Sequence, residues 1–245
     1  MMAQSASGLY HLLPMGLRVL HKLQATLRHR LGAIHAQECI LSTLTPKELW
    51  QTSGRWDNAG PELLRVTDRK GSEYCLAPTH EEAITSLLAQ HPNFSYRALP
   101  QLLYQMERKY RDEMRPRYGM IRAREFWMKD LYTFDVDEGA ARVTYDKITT
   151  MYHQLLKSLN VPYSCVQADP RSMGGYLSHE FQILADIGED TLVICDNCHQ
   201  GANNEMLSGM DLDGCGFVVF LCESFIFIFR IVQSMSSHYK RYSTF

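Results

Sequence analysis

Residues 107–130 of this sequence read ERKYRDEMRPRYGMIRAREFWMKD. Apolar and aromatic residues on either side predict two long strands, Gln101–Lys109 and Arg124–Phe134, joined by a loop rich in arginine, proline and glycine. Residues 107–129 hold eight lysines and arginines against four acids, although the whole chain has a formal charge of −2. The segment therefore predicts a hairpin with a strongly basic loop.

Such a hairpin suits the binding of a polyphosphate, because the strands set the geometry and an arginine fork donates two parallel hydrogen bonds to phosphate oxygens. Glu113 follows Arg111 by two residues and so shares its side of an extended strand, where it can accept a hydrogen bond from an adenine amine. Phe126 is placed to stack on a base. The alternative, a solvated charged hairpin, leaves the fixed offsets of the acids and the interleaved aromatic residues unexplained.

Length and composition set the wider class. The 245 residues, 45% hydrophobic and 21% charged, are ordinary for a soluble protein with one large domain, or with one domain and an appendage. The small net charge gives no global reason for a polyanionic partner, so any nucleic-acid surface must be local. Seven cysteines, an odd number, and the lack of a secretory signal favour reduced thiols. No clear targeting segment and no convincing membrane span is present.

Periodicity predicts the remaining elements. Leucines at steps of three and four predict a helix from Pro14 to Leu31, ended by Gly32. Thr79 is expected to cap a helix that runs to Gln90, with Glu82 completing a capping box. A further helix is predicted at 140–159 with five residues facing inward, namely Val143, Ile148, Tyr152, Leu155 and Leu156.

Short strands are predicted at Cys39–Leu44, Tyr163–Ala168 and Thr191–Cys195, and a hairpin from 63 to 76. Strands and helices alternate irregularly and include hairpin-like pairs. This order predicts an α+β fold with an antiparallel sheet flanked by helices, rather than a doubly wound parallel sheet.

The basic hairpin resembles motif 2 of class II aminoacyl-tRNA synthetases, through Tyr110-Arg-Asp-Glu113 and Arg122-Ala-Arg-Glu-Phe126. Six further segments occur in the order typical of prolyl-tRNA synthetases, and their wording resembles the bacterial-type, mitochondrial branch. They are GLYHLLP (8–14), ELWQTSGRW (48–56), PTHEE (78–82), MKDLYTF (128–134), VQAD (166–169) and GGYLSHEFQ (174–182).

The resemblance implies a set of ATP-binding residues. Arg111 would hold the α-phosphate, as the one catalytic residue expected, and also the carboxylate of the amino acid. Glu113 would contact adenine, Arg122 the outer phosphates, and Phe126 would stack on the adenine ring. Mg²⁺ is expected to accompany ATP.

The resemblance also implies a proline pocket. Thr79 and Glu81 would supply a hydroxyl and a carboxylate to the secondary ammonium of proline, while His179 and Met128, beside Phe126, would wall the ring. For Thr79 the alternative is helix capping, and for His179 a purely structural histidine. The implied partners are L-proline, tRNA(Pro) and a second copy of the chain as a homodimer, with no membrane.

The implied activity is proline–tRNA ligase: ATP activates proline to prolyl-adenylate, and the prolyl group then passes to tRNA(Pro). Such phosphoryl transfer depends on positioning and charge neutralisation more than on a general base. The branch resemblance implies the mitochondrial matrix, with the cytoplasm as the alternative location.

Three departures from the family lead us to expect weak or no activity. Ser42 stands where motif 1 has a proline, and Val219 stands where motif 3 has an arginine. The catalytic core is expected to be partial, at 8–207, with no anticodon-binding domain. Residues 208–245 are expected to be an unrelated, poorly ordered Phe-rich tail. The alternative function is a non-catalytic fragment that binds ATP or a partner.

One cysteine pair has half of the spacing of a zinc knuckle. Cys195 and Cys198 form CxxC, but no second pair follows at a suitable separation. We therefore expect two free thiols here and no bound metal.

Overall fold

A computed structural model of the protein describes residues 1–90, 95–168, 177–183, 190–195, 201–203 and 217–222. They divide between two compact units, Met1–Phe134 and Asp135–Phe245. No helix among the described residues combines the length and apolar character needed to cross a membrane.

The first unit alternates helices with short and long strands. Its helices are α1 (Pro14–Ala33), α2 (Lys47–Thr52), α3 (Arg55–Asn58) and α4 (Glu81–Gln90), with 3₁₀ turns at Gly60–Glu62 and Tyr96–Ala98. Its strands are β1 (Met2–Ala6), β2 (Leu9–Leu12), β3 (Gln37–Glu38), β4 (Leu44–Pro46), β5 (Arg65–Thr67), β6 (Glu73–Leu76), β7 (Gln101–Tyr110) and β8 (Glu125–Phe134).

The long hairpin predicted from the basic stretch is present. β7 and β8 pair in antiparallel fashion over all ten residues of each strand, and β3 joins the outer edge of β7 in parallel. Residues directly opposite each other share one face of a sheet. The face that matters for the site therefore carries five pairs: Gln101 with Phe134, Leu103 with Tyr132, Gln105 with Asp130, Glu107 with Met128 and Lys109 with Phe126.

The turn of the β1–β2 hairpin packs against the basic loop. Gly8 adopts φ +75°, and a Cβ there would lie 2.9 Å from the side chain of Pro116. Its carbonyl oxygen accepts a 2.8 Å hydrogen bond from the backbone N–H of Arg124. The close approach explains why glycine occupies this position, since any side chain would displace the loop.

The described residues of the second unit form one long helix and five strands. They are α5 (Glu138–Leu159), β9 (Tyr163–Gln167), β10 (His179–Ile183), β11 (Asp190–Cys195), β12 (Gly201–Asn203) and β13 (Phe217–Cys222). The sheet order is β10-β9-β12-β11-β13, antiparallel except between β9 and β12. α5 begins where the Asp137 carboxylate accepts the backbone N–H of Ala140, and ends at Asn160 in the left-handed conformation.

Three local predictions were wrong. Val143 is 69% exposed rather than inward, whereas the other four predicted positions of α5 are buried. α1 continues through Gly32 to Ala33, and a Cβ at Gly32 would meet no atom within 4 Å outside the adjoining helix. The strand expected at Cys39–Leu44 is replaced by β3 before it and β4 at its end. Beside β7 the backbone N–H of Leu41 donates to the Gln105 side chain instead of to a ladder carbonyl.

The described cysteine side chains are free thiols: Cys75 is buried, and Cys39 and Cys165 are partly buried. Within the predicted tail, residues 217–222 form β13, which pairs with β11. The predicted boundary at Leu207, Cys198 and the rest of the tail lie outside the described residues. The division of the chain at that boundary stays a prediction.

Helix α1 allows a matched test of the core of the first unit. Leu31 is completely buried, while Leu17 on the same helix is 39% exposed. Leu31→Ala should lower the free energy of unfolding by about 2–5 kcal/mol, because it removes buried methyl groups and leaves a cavity. Leu17→Ala should change it by roughly 0.5 kcal/mol or less. Urea denaturation of both variants measures the difference, and equal losses would contradict the packing described.

Candidate active site

Backbone hydrogen bonds hold the segment that follows β7. The backbone N–H of Arg111 donates to the carbonyl of Arg124 at 2.9 Å, and that of Asp112 donates to the carbonyl of Glu62 at 2.8 Å. Two residues beyond Arg111, the N–H of Glu113 donates to the Arg111 carbonyl at 2.8 Å. Two of the predicted ATP-binding residues, Arg111 and Glu113, therefore stand on a fixed extension of β7.

Two of these residues stack on each other. The guanidinium of Arg111 lies 5.3 Å from the centre of the Phe126 ring, within the range of a cation–π contact. Arg111 thus covers one face of the ring that was predicted to stack on adenine. The stacking restricts the guanidinium to the face of the hairpin that also carries Lys109 and Met128.

Glu113 and Arg122 form an ion pair across the base of the basic loop. The Nε of Arg122 is 2.9 Å from Oε2 of Glu113, and Oε1 accepts the backbone N–H of Arg115 at 3.1 Å. Burial opposes ionisation, but the hydrogen bonds from Arg122 and Arg115 outweigh it and lower the pKa of Glu113. The carboxylate is therefore ionised, and each oxygen keeps a lone pair that can accept from an adenine amine.

The predicted proline-binding pair lies at the start of α4. The Thr79 hydroxyl donates to Oε1 of Glu81 at 2.7 Å, and the other oxygen of Glu81 is 3.3 Å from Nη1 of Arg55. The expected capping box is wrong, because the Thr79 hydroxyl bonds Glu81, and Glu82 accepts from Ser53 and Arg55. Because the Glu82 carboxylate is bonded to Arg55 and Ser53, it does not bond the backbone at the start of the helix as a capping box requires.

Burial raises the pKa of Glu81, although the positive charge of Arg55 and the hydrogen bond from Thr79 oppose the rise. A carboxylate in this position is destabilised unless another cation reaches it. A cationic amine that donates an N–H to the Glu81 carboxylate would supply this additional positive charge. Glu81 is therefore suited to bind an ammonium group.

A hydrogen-bonded network that the sequence analysis did not find connects this segment to the hairpin. The Tyr132 hydroxyl donates to Oδ2 of Asp130 at 2.5 Å and accepts the backbone N–H of His80 at 2.9 Å. Asp130 also accepts from Gln105 at 2.8 Å and from Lys109 at 3.2 Å. The available signal was polar residues at alternate positions, which share one face of a strand: Gln105, Glu107 and Lys109 on β7, and Asp130 and Tyr132 on β8.

Met128 lies on this face, opposite Glu107, and is partly buried. The structure therefore brings seven of the predicted site residues to one hairpin face and the segments beside it. They are Thr79, Glu81, Arg111, Glu113, Arg122, Phe126 and Met128. Their contacts with ligands remain predictions.

His179 belongs to the second unit, on β10, and its ring Nδ1 is 2.7 Å from the Tyr145 hydroxyl on α5. Burial lowers the pKa of His179 and raises that of Tyr145, so a neutral imidazole accepts from a phenol. This bond fits the structural role that was weighed for His179, and contact of its ring with proline stays a prediction. Residues 174–176 of the motif around it lie outside the described residues.

No group of three or more His, Cys, Asp or Glu side chains in the described part of the chain is arranged to hold a metal ion. Mg²⁺ that enters with ATP needs no such group, since phosphate oxygens and water supply most of its ligands.

The chain belongs to the family of class II tRNA synthetases: the model of the tRNA synthetase class II core domain (G, H, P, S and T) matches residues 64–239. Within this class it is similar to enzymes named for proline. It is 50% identical over 213 residues to the probable mitochondrial proline–tRNA ligase of Homo sapiens, covering 86% of this chain and 45% of that protein.

Bacterial relatives resemble the chain nearly as well. The proline–tRNA ligase of Geotalea daltonii is 48% identical over 205 residues, which cover 84% of this chain and 36% of the relative. The chain thus spans less than half the length of these relatives.

Solved structures confirm the predicted fold class. Prolyl-tRNA synthetase from Cryptosporidium parvum, complexed with L-proline and AMP, superposes with a TM-score of 0.66 at 20% identity. The match covers 75% of this chain and 37% of that one. The fold is that of the class II synthetase core, α+β with antiparallel sheets and helices.

The raised pKa of Glu81 gives a prediction for stability. A group whose folded pKa lies above its unfolded value stabilises the fold at low pH, and this contribution is lost as pH rises through the folded pKa. Glu81→Gln should therefore raise the free energy of unfolding at neutral pH, because a neutral amide avoids the desolvated charge. The gain should vanish well below the ordinary glutamate pKa. Urea denaturation at neutral pH and at a pH well below the ordinary glutamate pKa measures the difference in unfolding free energy between Glu81→Gln and the unaltered chain. A loss of stability in the variant at neutral pH would contradict the argument.

Proposed function

We propose that this chain binds ATP and L-proline on the β7–β8 face, as part of a proline–tRNA ligase. The observation that carries the proposal is the charge order along one hairpin face. Arg111 lies beyond the end of β7, and the Thr79–Glu81 segment lies beside Asp130 and Tyr132 further along. A zwitterionic amino acid needs a cation for its carboxylate and acceptors for its ammonium, and this face offers both.

The acidic end of this face has charge left over for a cation. Three carboxylates take part in its hydrogen-bonded cluster, against the two cations Arg55 and Lys109; they are Glu81, Glu82 and Asp130. An ammonium that enters would balance the remaining negative charge. Since the cluster is largely shielded from water, this attraction is stronger than at a surface.

The basic end suits a triphosphate. Arg111 can hold the α-phosphate and the prolyl carboxylate together, so that a carboxylate oxygen attacks the α-phosphorus and pyrophosphate leaves. Glu113 accepts from the adenine amine, Arg122 reaches the outer phosphates and Phe126 packs against the base. Mg²⁺ bound to the phosphates neutralises charge in this arrangement. These residues position the substrates and neutralise the charge on the phosphates. The reaction needs no nucleophile from the chain, because the prolyl carboxylate is the nucleophile.

The proposals for the second reaction step, the assembly and the location of the protein rest on its resemblance to relatives. Transfer of the prolyl group to tRNA(Pro) completes the proposed activity, and a homodimer is the proposed assembly. Relatives from Homo sapiens, Rattus norvegicus and Mus musculus are named mitochondrial, which supports the mitochondrial matrix, while bacterial relatives keep a cytoplasmic site as the alternative.

Replacing Arg111 tests the ATP site. Arg111→Ala should weaken binding of ATP roughly 100-fold or more, since a charge-assisted, bidentate contact is lost. The matched control is Arg108→Ala, three residues earlier on β7; the Arg108 side chain is 56% exposed and pairs with Glu125. That variant should bind ATP as the unaltered chain does.

Isothermal titration calorimetry measures both affinities, and circular dichroism confirms that each variant is folded. Unchanged ATP affinity in folded Arg111→Ala would contradict the assignment of the site.

A second candidate, a fragment that binds ligands without catalysis, is favoured by Val219 at the motif 3 position. Proline-dependent ATP–pyrophosphate exchange separates the two. We expect little or no exchange from this chain, because the family uses a motif 3 arginine on ATP. Robust exchange would show that the motif 2 residues suffice and would exclude the non-catalytic fragment.

A further inference from the structure

Tyr132 contacts the middle of the segment that carries the two predicted proline ligands. Its hydroxyl accepts the backbone N–H of His80 at 2.9 Å and lies 3.5 Å from the hydroxyl oxygen of Thr79. Because His80 stands between Thr79 and Glu81, this one bond sets the backbone from which both side chains project. The hydroxyl proton is directed away, to Asp130.

The His80 side chain is held as firmly as its backbone. The ring is 1% exposed, with Nδ1 2.7 Å from the Gln105 amide nitrogen and Nε2 3.0 Å from the carbonyl oxygen of Ser42. Burial lowers the pKa of His80, which keeps the ring neutral. The Gln105 amide nitrogen can only donate, so Nδ1 accepts and the Nε2–H donates to the Ser42 carbonyl oxygen. His80 is thus bonded at three points and has no ring nitrogen left for a ligand.

Asp130 is the anchor that these contacts share. One of its oxygens accepts from both Tyr132 and Gln105, and the other accepts from Nζ of Lys109, a side chain with no exposed surface. Since each donor also contacts another member of the cluster or is buried against it, Asp130 has little freedom to move. The Tyr132 hydroxyl is therefore fixed from the hairpin side.

We propose that Tyr132, oriented by Asp130, is a positioning residue that presents Thr79 and Glu81 to the ammonium of proline. The inference rests on the proposed proline site. Tyr132 acts through the 79–81 segment, and nothing in this role requires it to touch the substrate. Without its hydroxyl the His80 N–H loses its acceptor, and the Thr79–Glu81 pair is released from the geometry that an ammonium needs.

A network that only stabilises the fold would act on all ligands alike, whereas a positioning role is selective. The ATP residues Arg111 and Glu113 are held by other bonds, to Arg124, Arg122 and Arg115. Loss of the Tyr132 hydroxyl should therefore weaken proline binding and spare nucleotide binding.

The test uses the full chain and titrates L-proline and the ATP analogue AMPPNP separately by calorimetry. Tyr132→Phe should raise the Kd for L-proline about tenfold, the effect of one buried hydrogen bond, and leave that for AMPPNP unchanged. Tyr104→Phe is the matched control: it lies on β7, and its hydroxyl is 3.4 Å from Glu38, outside this network. It should leave both affinities unchanged.

Each other outcome overturns a defined part of the account. Wild-type proline affinity in Tyr132→Phe would overturn the positioning role and leave the proposed function standing. Loss of both ligands, or of the folded circular dichroism spectrum, would make the hydroxyl a general structural element and overturn the role. An equal loss of proline affinity in Tyr104→Phe would overturn it as well. Failure of the unaltered chain to bind L-proline would overturn the proposed function, and the inference with it.

Discussion

The antiparallel register of β7 and β8 is the constraint on which the rest of the site depends. It places Gln105 opposite Asp130 and Lys109 opposite Phe126. A slip of one residue would send every one of these side chains to the other face of the sheet. Such a slip would break many backbone hydrogen bonds, because ten residues of each strand are paired and the backbone N–H groups of Arg111 and Asp112 are bonded beyond the strand end.

That face contains a buried ion pair, although a stable core needs no buried charges. Lys109 is fully buried beside Asp130, and burial lowers the pKa of Lys109 despite the favourable effect of that carboxylate. Buried ion pairs add little to stability but are costly to break from one side. Their presence here is explained by the geometry that they impose on the Thr79–Glu81 segment. The same reasoning applies to Glu81, whose burial disfavours the charged form and which we propose binds the ammonium group of the ligand.

Sequence alone predicted the elements whose signals are local. The hairpin followed from two apolar runs around a basic loop, and α5 from its helical period. Val143 was misplaced because it was chosen for its apolar character. It stands five residues before Ile148, which turns it about 140° around the helix from that buried residue, and it is 69% exposed. The break of the expected strand near Leu41 depends on a side-chain acceptor, Gln105, that is distant in sequence.

Part of the candidate site could likewise be predicted from the sequence, and part could not. Its ligand-facing residues were predicted through resemblance to a known family, whereas the network around Tyr132 was not, although Asp130 and Tyr132 stand in a recognised segment. That network exists only through pairing between β7 and β8 and through contact with residue 80, which no local pattern specifies. His179 shows the converse case, since its motif was recognised but its described bond is to Tyr145.

The central claim is that one hairpin face binds the nucleotide and proline side by side. A crystal structure of this chain with a non-hydrolysable prolyl-adenylate analogue tests it most directly, because one molecule must then satisfy both ends. The account predicts the ring nitrogen within about 3.2 Å of the Thr79 and Glu81 oxygens, and the phosphate isostere on Arg111. An analogue bound away from this face, or with its ring nitrogen turned from Glu81, would contradict the account.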